Sequence, residues 1–162
     1  MCRLLFATLA LTLAACGSAS GPLTPEASLP AAEVERGVRA TLDAQVAAWN
    51  GGSIRGFMEG YARTDTLVFL SGGSVRRGWE EALYAYVRGY PDRDAMGTLS
   101  FEGIEVRALS PRHAVAFGRW RLTRGDDAPT GLFSLVMENT AEGWVVVHDH
   151  TSSGEAPPPA DD

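Results

Sequence analysis

The chain reads as an α+β domain, with helices early and an antiparallel meander late, the helices gathered on one face of the sheet. Three observations predict this class. Val34, Val38, Leu42, Val46 and Trp49 recur at spacings of four, four, four and three, which makes one apolar stripe on a helix. Trp79, Leu83, Tyr86 and Tyr90 repeat the helical spacing over 78–90. From Thr98 onward the pattern changes to long β-prone runs separated by turn residues.

Taken in order, the first helix runs from about Ala31 to Trp49 and ends at Asn50-Gly51-Gly52. Ser53 can cap a short second helix carrying Ile54, Phe57 and Met58, to about Tyr61. Thr66 to Ser71 is strand-like, and Gly72-Gly73 breaks it. Gly78 opens the third helix, which Pro91 stops. Strands follow over 99–109, 113–123, 131–139 and 143–152, with Ser110-Pro111-Arg112 and the loop 125–129 as turns. No internal repeat is visible.

Composition limits the function classes. Apolar residues make up 45% and charged residues 21% of 162, as in a globular chain with one domain plus appendages. A net charge of -6 argues against nucleic acid, whose phosphates need a basic surface. All 14 cationic side chains are arginine, which excludes lysine chemistry. No nucleophile elbow, phosphate loop or dinucleotide fingerprint is present.

The first residues read as a targeting segment. Arg3 is followed by an apolar run of ten residues, Leu4 to Leu13, and then by Ala14-Ala15-Cys16. The run is too short to span a bilayer, which takes about 20 residues. The order resembles the lipobox of bacterial lipoproteins, which implies a signal peptide over 1–15 and a lipid on Cys16. A plain secretory signal with an incidental cysteine is the alternative. Anchoring at Cys16 would place the protein in the bacterial cell envelope. With Gly at position 17 in place of Asp, it would rest in the outer membrane facing the periplasm if the host has two membranes. The mature chain keeps one cysteine, so no internal disulfide forms. Residues 16–30 read as a flexible tether, 31–153 as the folded domain, and 154–162 as a disordered tail.

The last strand carries the candidate chemistry. In regular alternation Trp144, Val146, His148, His150 and Ser152 share one side, and Val145, Val147, Asp149 and Thr151 the other. The first face runs from apolar to polar and is expected to wall a cavity. An imidazole at its polar end could move a proton, so His150 and His148 are the candidate acid/base pair. Two histidines one residue apart could also hold a metal from one strand face, but a zinc site wants a third protein ligand, and neither metal nor cofactor is expected. Asp149 is expected to point away, toward Arg119 or Arg121, or to orient a histidine through a bulge. On the neighbouring strand Gly118, Trp120 and Leu122 form the more apolar set, so Trp120 is expected inside and Arg119 outside.

Trp49-Asn50, Gly78, Tyr90-Pro91, Met96 to Phe101, Gly118 to Leu122, Gly131-Leu132-Phe133 and Gly143 to Ser152, in that order, are similar to the SnoaL-like, nuclear-transport-factor-2-like (NTF2-like) superfamily, within it to the domain-of-unknown-function 4440 group. The resemblance implies a cone: a curved antiparallel sheet wrapped around three N-terminal helices, bent by bulges and open at one end into an apolar pocket. Trp49, Tyr61, Phe69, Trp79, Tyr86, Trp120, Phe133, Trp144 and Ser152 are then the expected ligand contacts. The family contains isomerases, cyclases, dehydratases and binding or assembly modules, so the fold leaves three readings. One is a tethered binder of a small, mostly apolar molecule. Another is an acid/base enzyme; the isomerase pattern, with its Asp on an earlier element, offers only Asp65, in a turn. The third is a homodimeric interaction module, since family members often pair through the outer sheet face, where Val115, Phe117, Ser134, Val136, Val145 and Val147 would lie.

Overall fold

The computed structural model describes residues 30–154. The leader over 1–15, Cys16, the tether up to residue 29 and the tail from residue 155 lie outside the described residues.

Helix α1, Ala31–Asn50, buries Val34, Val38, Leu42, Gln45 and Trp49. The polar Gln45, rather than Val46, takes the inward place one turn before Trp49, and its amide Nε2 donates to the Phe57 carbonyl at 3.1 Å. Helix α2, Ile54–Met58, starts as its sequence predicts, with the Ser53 hydroxyl accepting from the Gly56 N–H at 2.9 Å. Helix α3 spans Trp79–Gly89, and a single further turn, α4 over Arg93–Met96, is capped by the Asp92 carboxylate.

Six strands form one sheet: β1 Val68–Ser71, β2 Ser74–Arg77, β3 Thr98–Ala108, β4 His113–Thr123, β5 Thr130–Thr140 and β6 Gly143–Thr151, in the order β2-β1-β6-β5-β4-β3. Neighbours run antiparallel except β1 and β6, which are parallel. Gly72 and Gly73 do more than break a strand. Both have positive φ, and they join β1 to β2 as a two-residue hairpin turn. Gly154, expected in the tail, is bridged to Thr130.

Two bulges bend the sheet around α1. In β3 the pairing slips between Glu102 and Glu105, with Gly103 at φ +59°, so the inward residues run Leu99, Phe101, then Ile104 and Val106. The Arg39 guanidinium donates to the Ile104 carbonyl at 2.8 Å and holds this kink against α1. In β6 Met137 faces Val146 and Val136 faces His148, which leaves Val147 as the extra residue. The helices lie on the concave side. One end is filled by the N-terminal half of α1 and by Ala114, Ala116, Met137 and Val146, all fully buried. The other end is aromatic and is not filled.

A cavity built on Asp149 and two tyrosines

The unfilled end of the cone is a cavity of about 260 Å³. Small-molecule sites are typically roughly 300–1,000 Å³, so this one suits a small occupant. Its walls are mostly aromatic. Trp49 from α1, Phe57 from α2, Phe69 from β1, Tyr86 from α3, Trp120 from β4 and Phe133 from β5 all contribute, together with Tyr61 just after α2. Many of these rings meet edge to face, as Phe57 and Tyr86 do at 5.2 Å between centroids. Such contacts fix ring orientation as well as burying area.

The bulge at Val147 decides which polar groups reach this space. Ahead of it Trp144 and Val146 face inward; beyond it the parity is reversed, and Asp149 and Thr151 face inward in place of His148 and His150. The expected orientation of the two imidazoles is therefore corrected. His148 lies half-buried between Val68 and Val136, and His150 is exposed between Leu70 and Ser134, both on the outer face. Asp149, only 2% exposed, is the acid of the cavity.

The Asp149 carboxyl is well held. Tyr61 donates its hydroxyl to Oδ2 at 2.8 Å, and Thr151 donates to Oδ1 at 2.6 Å. Burial raises the acid from its ordinary value of 3.8 to about 6, while the hydrogen bonds from Thr151 and Tyr61 and the nearby His150 pull the other way. Burial also raises the Tyr61 phenol well above its usual range, with Asp149 and Tyr86 adding to the effect, so Tyr61 stays protonated. Tyr86 is raised in the same way, by burial first and then by the charge of Asp149. The polar end of the cavity is thus one carboxyl poised near neutrality beside two neutral phenols. That set can donate and accept hydrogen bonds, and can take up a proton.

Six of the nine expected contact residues line the cavity: Trp49, Tyr61, Phe69, Tyr86, Trp120 and Phe133. Three do not. Trp79 turns to the far side of α3, where its Nε1 donates to the Met58 carbonyl at 2.9 Å and the Arg55 and Arg63 guanidinium groups lie over its ring. Trp144 comes before the bulge and packs on Gly37 of α1, which has no Cβ to obstruct the indole. Ser152 belongs to the rim: its carbonyl accepts from Trp120 Nε1 at 2.9 Å, and Ser153 is the residue on the cavity surface. Asp149, Thr151, Gln45, Ser71 and Arg76 complete the polar lining, and none of them was singled out as a cavity residue from the sequence.

The fold and its open cone have relatives among solved structures. Over 74% of its length, and 98% of the other chain, the protein is 39% identical to an NTF2-like protein of unknown function from Shewanella oneidensis MR-1, with a TM-score of 0.70. The chain belongs to the NTF2-like family. Two more distant solved structures share the fold. One is a ketosteroid isomerase-like protein from Erwinia carotovora atroseptica, 19% identical over 75% of this chain and 96% of that one, TM-score 0.60. The other is a nuclear transport factor 2-like superfamily protein from Salmonella enterica serovar Typhimurium, 16% identical over 82% and 99%, TM-score 0.61. No family model matches this NTF2-like chain, and no curated protein does.

Proposed function

We propose that this NTF2-like domain binds a small, mostly apolar molecule in its cone, with a hydroxyl or carbonyl of that molecule meeting Asp149 and its tyrosine neighbours. The observation that carries the reading is the combination of an unfilled aromatic cavity with one buried, hydrogen-bonded carboxyl at its polar end. A structural acid in a filled core would have no such space before it. Native mass spectrometry of the full-length chain is expected to detect a retained small molecule, and Ala85→Trp, which fills the cavity from α3, is expected to abolish it. No adduct, together with no thermal shift across a panel of apolar ketones, acids and phenols, would refute binding.

A second reading is favoured by the Asp149 titration near 6: an acid/base enzyme of the isomerase, cyclase or dehydratase type. The proton-transfer group in that reading is Asp149 rather than a histidine. Tyr61 and Tyr86 would steady the developing charge. An Asp149→Asn variant that folds and retains full turnover of a candidate ketone would rule it out. For location, the Leu13-Ala14-Ala15-Cys16 order supports a lipid anchor in the cell envelope. Cys16→Ser is then expected to move the protein out of the membrane fraction.

A further inference from the structure

Arg76 lines the same cavity without belonging to the Asp149 cluster. On β2 it pairs with Phe69 of β1, and Phe69 pairs with Asp149 of β6, so the three form one row across the concave face. Two strand spacings put the Arg76 and Asp149 backbones roughly 10 Å apart. Tyr86 feels both ends of this row, since the charge of Asp149 raises its phenol and that of Arg76 lowers it.

Five of the other described arginines are ion-paired, and what sets Arg76 apart from the rest is its place in the cavity lining. Arg39, Arg63, Arg112, Arg121 and Arg124 each lie within ion-pair distance of a carboxylate. Among the described residues no carboxylate lies within that distance of Arg76, which is half-buried in a lining of aromatic and aliphatic side chains with few polar groups. A guanidinium partly out of water gains most from an anion that meets it, and its planar fork matches a carboxylate.

We propose that Arg76 is the anion subsite of the cavity, and that the ligand is an apolar body with a carboxylate at the Arg76 end and a hydroxyl or carbonyl at the Asp149–Tyr61 end. This rests on the cone being a binding site. The row of three residues sets the spacing of the two polar groups, and Phe69 between them sets the apolar middle.

The test uses three compounds of one shape with the full-length chain, followed by titration calorimetry: 4-(4-hydroxyphenyl)butanoate, its neutral amide, and 4-phenylbutanoate, which lacks the hydroxyl. The wild type is expected to bind the hydroxyl acid at least about tenfold more tightly than the amide, the scale of one charge-assisted hydrogen-bonded pair. Arg76→Gln is expected to remove that preference, and an unchanged far-UV circular dichroism spectrum shows that the variant is still folded. Arg76→Lys keeps part of the preference. If the amide binds but the wild type shows no preference for the acid, or Arg76→Gln retains it, the anion subsite is refuted and the cavity reading stands. If none of the three compounds binds, the subsite with this spacing is refuted, and the cavity reading is decided separately by the retained adduct and the thermal-shift panel.

Discussion

Replacing Asp149 by asparagine tests the central electrostatic argument through stability alone, with no ligand needed. The carboxyl titrates at 3.8 when unfolded and at about 6 in the folded protein. Below pH 3.8 both states hold the proton and the group contributes no slope. Between the two values the folded state keeps the proton while the unfolded state releases it, so stability falls as pH rises. Above about pH 6 both states are ionised and the full cost is present. A shift of this size corresponds to about 3 kcal/mol. The asparagine side chain has the same shape and does not titrate, and its amide can still exchange hydrogen bonds with Tyr61 and Thr151. The difference in unfolding free energy, variant minus wild type, is therefore expected to rise by about 3 kcal/mol between pH 3.5 and pH 8 in urea titrations. In thermal melts at pH 8 the variant should gain about 10 °C over its relative position at pH 3.5. Taking the difference cancels every other titrating group. A difference that stays flat within about 1 kcal/mol would mean that Asp149 is not held in the dry, hydrogen-bonded setting described.

Other perturbations read separate parts of the structure. Tyr61→Phe removes a donor to the ionised carboxylate, so the Asp149 titration, followed by carboxyl 13C NMR, should move above 6; an unchanged midpoint would show that the 2.8 Å bond does not act on the charge. The same variant should lose about 1–3 kcal/mol at pH 8 and less at pH 4. Gly131→Ala brings a Cβ onto the Ser152 carbonyl and within 2.7 Å of Trp120 Nε1, so the cavity rim must shift. A loss of about 1–3 kcal/mol is expected in chemical denaturation, and a neutral result would contradict the close approach of β5 to the end of β6. A homodimer, one of the readings the sequence leaves, would use the outer face, where Phe117 and Leu132 are 41% and 53% exposed. Light scattering should then give a dimer mass that Phe117→Asp reduces to a monomer, and a monomeric wild type would dispose of the pairing.

Much of the fold was legible because it is written in side-chain periodicity. The α1 stripe, the Ser53 cap and the four long strands are local signals, and each lies close to its predicted place. The β1–β2 hairpin was missed although its signal is present: Gly72-Gly73 between Leu70-Ser71 and Ser74-Val75 is a two-residue turn as much as a break. The aromatic lining was legible in part, since Trp49, Tyr61, Phe69, Tyr86, Trp120 and Phe133 are large, apolar and correctly phased. The polar end was not. Val147 is an ordinary strand residue with no glycine or proline to mark it, so the bulge there is a product of sheet curvature and leaves no local trace in the sequence. Assuming regular alternation through that point exchanged Asp149 for the histidines on either side of it. Arg76 was equally hidden, since its place depends on β2 joining the sheet at all.

The extra residue in β6 has a consequence for how such a cone could change its chemistry. His148, Asp149 and His150 are consecutive, so the strand holds an acid and two imidazoles in alternating phase, and a single backbone irregularity selects which set faces the hollow. Deleting one residue at that point would restore the other phase, turning imidazoles inward and the carboxyl out to solvent without altering any of the three side chains. In a sheet of this kind the length of a strand, counted to one residue, is as much a determinant of reactivity as the residues it carries.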